Sequence, residues 1–560
     1  MKAIVTDSSN FKHLRGKNAY YVDKTKEIVE FFNLNNDIIL MPRPRRFGKT
    51  LFLSTIYYLF SNKEKDSTLF EETSVYNTDF FKEHFGKYPV ISLTFKDVKE
   101  DNFQDMLEAT KSEINSSVQK LMEDIDLDTI TDSEEKRIIK NILSNKAKKT
   151  DYEKSLKALT IVLTSHYKNP CIVLIDEYDS PIITSYLKGY YEEAIGFFRN
   201  MLSAVFKQNE LNIKKGLITG ILRVSGESMF SGLNNIKTIT ILENELSTSC
   251  GFTKEETIEL LDYYGIEGEM KEEALYWYNS YLIGDKIITN PWSILNFIDN
   301  KRFEPYWANT SSNDFLYTLI QKSKDFKQNL EKLLRDEPIE VKVNKNITFR
   351  DKELEEKDNL FSLLFFSGYL KCKEKYEKKV KLKRHTYCKM IPTNVECQMI
   401  FEDVISGYVR ESFRNESIED LLNALTSGNI KLFEKLFSYL LRDTVSYFDT
   451  RNENSYHMFL LGILVNLSAE YEIISNTEAG YGRVDIVLLH KENKTKPAII
   501  MELKEIDEFE EETKEKALEK AVEQIKQNDY ISLAKKRGYE NILAFGLVFD
   551  GKRCWIKEIN

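Results

Sequence analysis

Cysteine is scarce: six in 560 residues, at 171, 250, 372, 388, 397 and 554, with no C-x-x-C pair. That scatter excludes a zinc-ribbon or disulfide framework and points to reduced thiols in a cytoplasm-like compartment. Proline (10) and glycine (22) are also few, which argues against long disordered linkers. No apolar run reaches the roughly 18 residues of a membrane span. The opening MKAIVTDSSNFKHLRGK lacks the apolar centre of a signal peptide. The expectation is a cytoplasmic protein with no membrane partner. An excess of positive charge is missing too, since 79 Lys and Arg stand against 89 Asp and Glu for a net −10. A uniformly basic nucleic-acid binder is excluded, a local basic groove is not. There is no internal repeat and no low-complexity tract.

What is present is bulk for several cores: 34 Phe, 30 Tyr and a hydrophobic fraction of 42%. The length suggests about three or four domains. The chain is organised around Asp37 to Phe60, DIILMPRPRRFGKTLFLSTIYYLF. Ile38 to Met41 form a short apolar run, a buried strand. The loop Arg43-Pro44-Arg45-Arg46-Phe47 and the Gly48-Lys49-Thr50 it leads to are expected to contact the bound nucleotide, and apolar residues then recur at helical spacing. Strand, loop, GKT and helix make a nucleoside-triphosphate site, because backbone N–H groups at a helix start face phosphate oxygens. Lys49 would reach the β- and γ-phosphates, and the Thr50 hydroxyl would hold Mg²⁺. Arg43 stands where the G-x-x-x-x-G-K-[ST] pattern has its first glycine. The loop is therefore expected to turn differently, through Pro42 and Pro44.

A second strand is expected at Tyr88–Phe95, after a helix over residues 19–32 with Asp23 at its N-cap. Residues 102–168 read as helical. Then Pro170–Pro181, PCIVLIDEYDSP, gives a continuously apolar strand that ends in Asp176 and Glu177. In that place Asp176 would hold the Mg²⁺ shell and Glu177 would orient or deprotonate the attacking water. Further strands are expected at Lys215–Leu222 and Thr238–Leu242. Thr219 could sense the γ-phosphate. Arg223 could neutralise transition-state charge, in cis or across the subunit contact of a homo-oligomer. Strands alternating with helices imply a mostly parallel sheet covered on both faces, with nucleotide at the carboxyl ends of the strands.

From about residue 250 the pattern becomes helical, at Phe252–Tyr264, Glu272–Tyr281 and Asn359–Leu370. Asn290-Pro291-Trp292 and the run from Trp307 to Ser311 read as turns. Tyr376–Ile391, YEKKVKLKRHTYCKMI, alternates strand-like residues with Lys and Arg. It fits a solvated edge hairpin whose lysines block aggregation, or the wing of a winged-helix module touching phosphates.

Near the C-terminus a helix from Tyr456 precedes RVDIVLLH and PAIIMELKE, a hairpin joined by KENKTK. A turn centred between Asn493 and Lys494 sets Asp485 opposite Glu502. Two facing acids repel, and a divalent cation between them removes the repulsion. Lys504, two residues on, projects from the same face. Two carboxylates and a lysine around Mg²⁺ suit phosphodiester hydrolysis.

YYVDKT, RPRRFGKT, VLIDEYDSP and MFSGLNN resemble the AAA-ATPase-like domain of many bacterial and archaeal proteins. YHMFLLGIL, SNTEAGYGRVDIVL, IIMELKE and AVEQI resemble its usual partner, a PD-(D/E)XK nuclease-superfamily domain with a restriction-endonuclease-like α/β fold. The RPRRFGK form of the loop, arginine included, is shared with the first family. The second resemblance assigns Asp485, Glu502 and Lys504 to its D…E-x-K positions and Gln524 to the helix glutamine that follows. Glu453 is the nearest first-helix acid, with His457 one turn on.

The expected architecture is a P-loop parallel sheet (1–250), a helical, winged-helix-like middle (251–395), a helical connector (396–445) and the nuclease-like α/β domain (446–560). The expected function is ATP binding and hydrolysis coupled to a Mg²⁺-dependent nuclease acting on nucleic acid, DNA first, in defence or mobile-element biology by analogy. The alternative is a nucleotide-dependent switch whose last domain binds nucleic acid or protein without cleaving it.

Overall fold

The computed structural model describes residues 1–130, 133–222, 235–307, 329, 332–333, 337–345, 357–380, 383–401, 415–443, 453–479, 482–506, 513–551 and 553–559. It divides into two compact units, Met1–Lys327 with Pro338–Gln398, and Gln328–Glu337 with Met399–Asn560.

In the first unit β1 (Ile38–Pro42), β2 (Val90–Thr94), β3 (Cys171–Asp176), β4 (Ile213–Gly220) and β5 (Ile236–Thr238) form one parallel sheet in the order β2-β3-β4-β1-β5. Every residue of β1 and β3 is buried, as strands covered on both faces require. The covering helices include Lys49–Phe60, Phe103–Met122, Lys149–Tyr167 and Tyr191–Phe206. Met106, Leu107, Thr110, Ile114, Val118 and Leu121 make the buried stripe of one of them, and the Asn102 side chain caps it. Parallel pairing brings the carboxyl ends of β1, β3 and β4 to one edge.

Local chemistry trims the expected elements. The helix expected over 19–32 begins at Thr25. Asp23 lies one residue before its N-cap, where Oδ1 accepts from Thr25 N (2.9 Å) and Oδ2 from Ser74 N (2.6 Å). The strand expected at Thr238–Leu242 ends at Thr238, because the Glu243 carboxylate accepts from Thr240 N at 2.8 Å and folds a turn there.

Asn290-Pro291-Trp292 starts the helix Pro291–Asn300 instead of a turn. Asn290 Oδ1 accepts from Trp292 N and Ser293 N, and Pro291 sits where no N–H is needed. The helix expected over Glu272–Tyr281 runs Gly268–Tyr278. Tyr281 instead begins β7 (Tyr281–Ile283), which with β6 (Phe252–Thr253) and β8 (Lys286–Thr289) forms a small antiparallel sheet. A second antiparallel sheet joins β9 (Ile339–Lys342), β10 (Leu370–Val380) and β11 (Lys383–Pro392) in the order β10-β11-β9. The buried helix Lys357–Phe366 precedes it. Residues 308–311 lie outside the described residues, as does most of MFSGLNN.

In the second unit β12 (Tyr471–Ala479), β13 (Gly482–His490), β14 (Ala498–Glu505), β15 (Ile542–Asp550) and β16 (Arg553–Glu558) make a five-stranded sheet in sequence order. It is antiparallel except where β15 lies parallel to β14. Helices Asn415–Thr426, Ile430–Asp443 and Glu453–Leu464 bring Leu421, Phe433, Phe437 and Leu460 against Ile486, Ile499 and Met501. Ile525, Tyr530 and Ala534, from helices Lys514–Gln527 and Tyr530–Lys536, cover Val487 and Ile500. Alternate residues of β13 and β14 thus serve two cores. Among the described residues no helix is long and apolar enough to cross a membrane.

Candidate active sites

After β1 the chain turns through left-handed conformations at Arg46 (φ 63°) and Gly48 (φ 82°), not through the prolines. Gly48 is the N-cap of Lys49–Phe60, and a Cβ there would meet open space. Glycine is required by the backbone angle alone. Arg43 is fully buried. Its guanidinium donates to the carbonyls of Pro42 (2.9 Å), Ile239 (2.8 Å) and Leu246 (3.1 Å), and burial pushes it down to about 10. Its side chain therefore braces the loop from beneath and does not face a phosphate. Phe47 also turns inward, edge-on to Tyr281 at 4.7 Å, and its carbonyl accepts from Gly251 N. Arg46 stacks over Trp292 at 4.3 Å, and burial and neighbouring Arg45 lower its pKa. Pro44 is buried against Gly368.

The remaining predicted residues converge. Asp176, 4% exposed at the end of β3, accepts from Thr50 Oγ1 at 2.6 Å and from Thr219 Oγ1 at 2.7 Å. Burial and the adjacent Glu177 charge raise its pKa. Lys49, buried, donates to the carbonyls of Arg43 (3.3 Å) and Pro44 (3.2 Å), and its Nζ lies 3.4 Å from Glu177 Oε1. Burial pushes the Glu177 carboxyl up, but Lys49 and Arg45 outweigh it and hold it below the usual range. Glu177 sits at φ 51°, a conformation costing a non-glycine residue about 1–2 kcal/mol. Arg223 lies outside the described residues.

Two residues of the same motif were not foreseen. Asp179 is fully buried, and its Oδ2 accepts from Ile221 N and Leu222 N at 2.8 Å each. Burial, then Glu177, pushes its carboxyl up to about 6. Tyr178 donates its hydroxyl to Leu222 O at 2.6 Å. Together they clamp the end of β4 next to Thr219. The visible signal was a third acid, two residues after Glu177.

In the second unit the β13–β14 ladder pairs Ile486 with Met501 and Val487 with Ile500, the register the turn position implied. Asp485, the residue before Ile486, accepts at its Oδ2 from Leu503 N, next to Glu502, at 2.8 Å. The Glu502 side chain is 1% exposed, and Lys504 Nζ lies 3.1 Å from its Oε1. His457 Nε2 is 3.1 Å from both the Asp485 carbonyl and Ser475 Oγ. A carbonyl only accepts, so Nε2 carries the proton in that bond. His457 thereby ties its helix to the strand segment that presents Asp485. The Gln524 amide donates to Tyr530 Oη at 3.5 Å. Glu453 opens the helix Glu453–Leu464, and its side chain lies outside the described ones.

Among the described residues no three of His, Cys, Asp and Glu converge as a metal cage. Magnesium does not need one. It is held by one or two carboxylates with waters and substrate phosphates completing its shell. Asp176 with the Thr50 hydroxyl fits that donor set, as does Asp485 with Glu502.

A protein described as uncharacterised, from the region 5′ of vnfD in Azotobacter chroococcum mcd 1, is 28% identical over 320 residues. The match covers 57% of this chain and 56% of that protein, so the chain spans little more than half of the relative's length. Residues 7–230 match the family described as "Predicted AAA-ATPase", and residues 451–559 match the PD-(D/E)XK nuclease superfamily. The first match encloses Lys49, Thr50, Asp176, Glu177 and Thr219; the second encloses Asp485, Glu502 and Lys504. The chain is a fusion of an AAA-ATPase-like domain with a PD-(D/E)XK nuclease-superfamily domain.

Proposed function

We propose that the protein binds and hydrolyses ATP in its first unit and, under control of that nucleotide, cleaves phosphodiester bonds of nucleic acid, DNA first, in its second. The observation that carries the reading is the juxtaposition of Asp485, Glu502 and Lys504 at the end of the β13–β14 ladder. In the nucleotide site Lys49 would donate to phosphate oxygens. The helix start at Gly48 turns backbone N–H groups toward them. Thr50 and Asp176 would hold Mg²⁺. Glu177, kept ionised beside Lys49 and Arg45, is the acceptor for the proton of the attacking water.

In the second site Asp485 and Glu502 would hold a divalent ion. When bound, that ion supplies Lewis acidity to the phosphodiester and a more acidic water. Lys504 offsets charge that develops on the phosphoryl oxygens. Nucleotide can govern cleavage only by binding two conformations with different affinity.

The test incubates plasmid, linear duplex and RNA with Mg²⁺ or Mn²⁺, with and without ATP. The expected result is cleavage lost in Asp485→Ala and in Lys504→Ala. Nucleic-acid binding with no cleavage by the unaltered protein under any of these conditions would overturn the nuclease half and favour a non-cleaving binding module.

A further inference from the structure

The β10–β11 hairpin is strongly basic within an acidic chain. Its described residues carry eight Lys or Arg against two Glu, while the whole chain is −10. Three cations are balanced locally: Lys378 by Glu340 (2.7 Å), Lys389 by Glu374 (2.6 Å) and Arg384 by Glu377 (3.5 Å). Lys373, Lys375, Lys379 and Lys383 are exposed, and no carboxylate among the described residues pairs with them. Lys379 faces Arg384 directly across the ladder, a like-charge pair that destabilises a hairpin by itself. Guarding a sheet edge against pairing takes a lysine or two; this arrangement exceeds that need and is relieved by a polyanion.

The same hairpin offers aromatic surface. Tyr376 and Tyr387 lie across the ladder with rings 5.9 Å apart and 10° from parallel, and Lys378 Nζ sits 5.1 and 4.8 Å from their centres. Cations along a ribbon with half-exposed rings between them suit a phosphodiester backbone with bases beside it. An acidic peptide would use the charge and leave the rings idle.

The root of the hairpin rests on the phosphate loop. Gly368, two residues before β10, has φ 93°, and a Cβ there would come within 2.9 Å of the Pro44 ring. Thr393, just after β11, donates to Gly368 O at 2.9 Å. Tyr369 packs on Trp307, whose Nε1 donates to Arg45 O at 3.2 Å.

We infer that the β10–β11 hairpin binds the backbone of nucleic acid, and that its seat on the Arg43–Thr50 loop couples this binding to the bound nucleotide. The coupling rests on the nucleotide site proposed above; the binding does not need the nuclease centre. The test measures anisotropy of a labelled DNA duplex against salt for the full chain and for K373Q/K375Q/K379Q/K383Q.

The unaltered protein should bind the duplex. The quadruple variant, checked for an unchanged circular-dichroism melt, should flatten the slope of log affinity against log salt by about 3 to 4. ATP should shift duplex affinity in the unaltered chain and not in K49A, by the reciprocity of linkage. No duplex binding by the unaltered chain, or an unchanged slope in the quadruple variant, would overturn the inference. So would a polyglutamate peptide that competes as well as duplex does. An ATP-independent affinity would overturn the coupling. Hydrolysis of bis(p-nitrophenyl) phosphate, read in parallel, separates the two proposals. Hydrolysis retained with normal duplex binding in the quadruple variant removes the hairpin and spares the nuclease. No hydrolysis by any protein, with binding lost only in that variant, does the reverse.

Discussion

Glu396 offers a sharp test of how burial sets stability. Its side chain is fully buried, and Oε1 accepts from Ser293 Oγ (3.1 Å) and Trp307 N (2.9 Å). Burial pushes its carboxyl up to about 7, against the smaller downward pull of those two bonds. The titratable groups around it, Tyr278, Tyr281 and Cys397, are themselves raised by burial and supply no positive charge. In the unfolded chain a glutamate titrates near 4.3. The folded value lies above the unfolded one, so between about pH 4 and 7 the native state keeps a proton that the unfolded state releases. The stabilisation is fully present below that window and is lost as pH rises through about 7. At about 1.4 kcal/mol per pH unit the loss comes to about 3–4 kcal/mol. Glu396→Gln keeps an oxygen for Ser293 and Trp307 and cannot ionise. It should be more stable than the unaltered chain by up to about 3–4 kcal/mol at pH 8, and by about 1 kcal/mol or less at pH 5. Urea unfolding followed by tryptophan fluorescence reads this, since Trp277, Trp292 and Trp307, three of the four tryptophans, lie in the same unit as Glu396. A gain of the same size at both pH values, or an unaltered chain whose stability is flat from pH 5 to 8, would refute the reasoning.

Lys49→Ala should abolish stabilisation by nucleotide. The unaltered chain should gain about 2.7 kcal/mol at a hundredfold excess of ATP over its dissociation constant, and a thermal shift of similar size in the variant would remove Lys49 from the site. Arg43→Met removes the buried donor that Arg43 supplies to the carbonyls of Pro42 and Ile239, while Leu246 O keeps Ser249. It should cost about 3 kcal/mol or more in urea unfolding, and a variant within about 0.5 kcal/mol of the parent would show that the loop does not need its brace.

Elements were legible where every residue pointed the same way. β1 and β3 are apolar throughout and buried throughout, and the β13–β14 register followed from the length of a polar connection between two apolar runs. β6, β7 and β8, at two to four residues each, are too short to show a period. β12 runs through Ser475-Asn476-Thr477-Glu478, where no apolar alternation marks a strand. Arg43 reads as a phosphate ligand because of its place in the motif. Its partners Ile239 and Leu246 come from about two hundred residues away, and only the folded sheet brings them beneath the loop. Asp179 is the same case, since its value lies in the N–H groups of Ile221 and Leu222. Side chains whose role is set by distant backbone leave no local pattern, whereas Asp176 ends β3 and Asp485 lies within β13, two strands that the pattern itself locates.

The two candidate sites share one electrostatic device. In each, an acid on or just after a strand is balanced by a lysine from the same chain: Lys49 lies 3.4 Å from Glu177 and Lys504 lies 3.1 Å from Glu502. A buried carboxylate stripped of its counter-charge costs several kcal/mol. A phosphoryl group that draws the lysine away therefore leaves an acid that must find another cation. A divalent ion that neutralises the acid frees the lysine for an anion. Anion and cation then raise each other's affinity by the same factor, and neither fits the site as well alone. By this device phosphate and metal would be admitted together, and each acid–lysine pair is neutral in itself when both are absent.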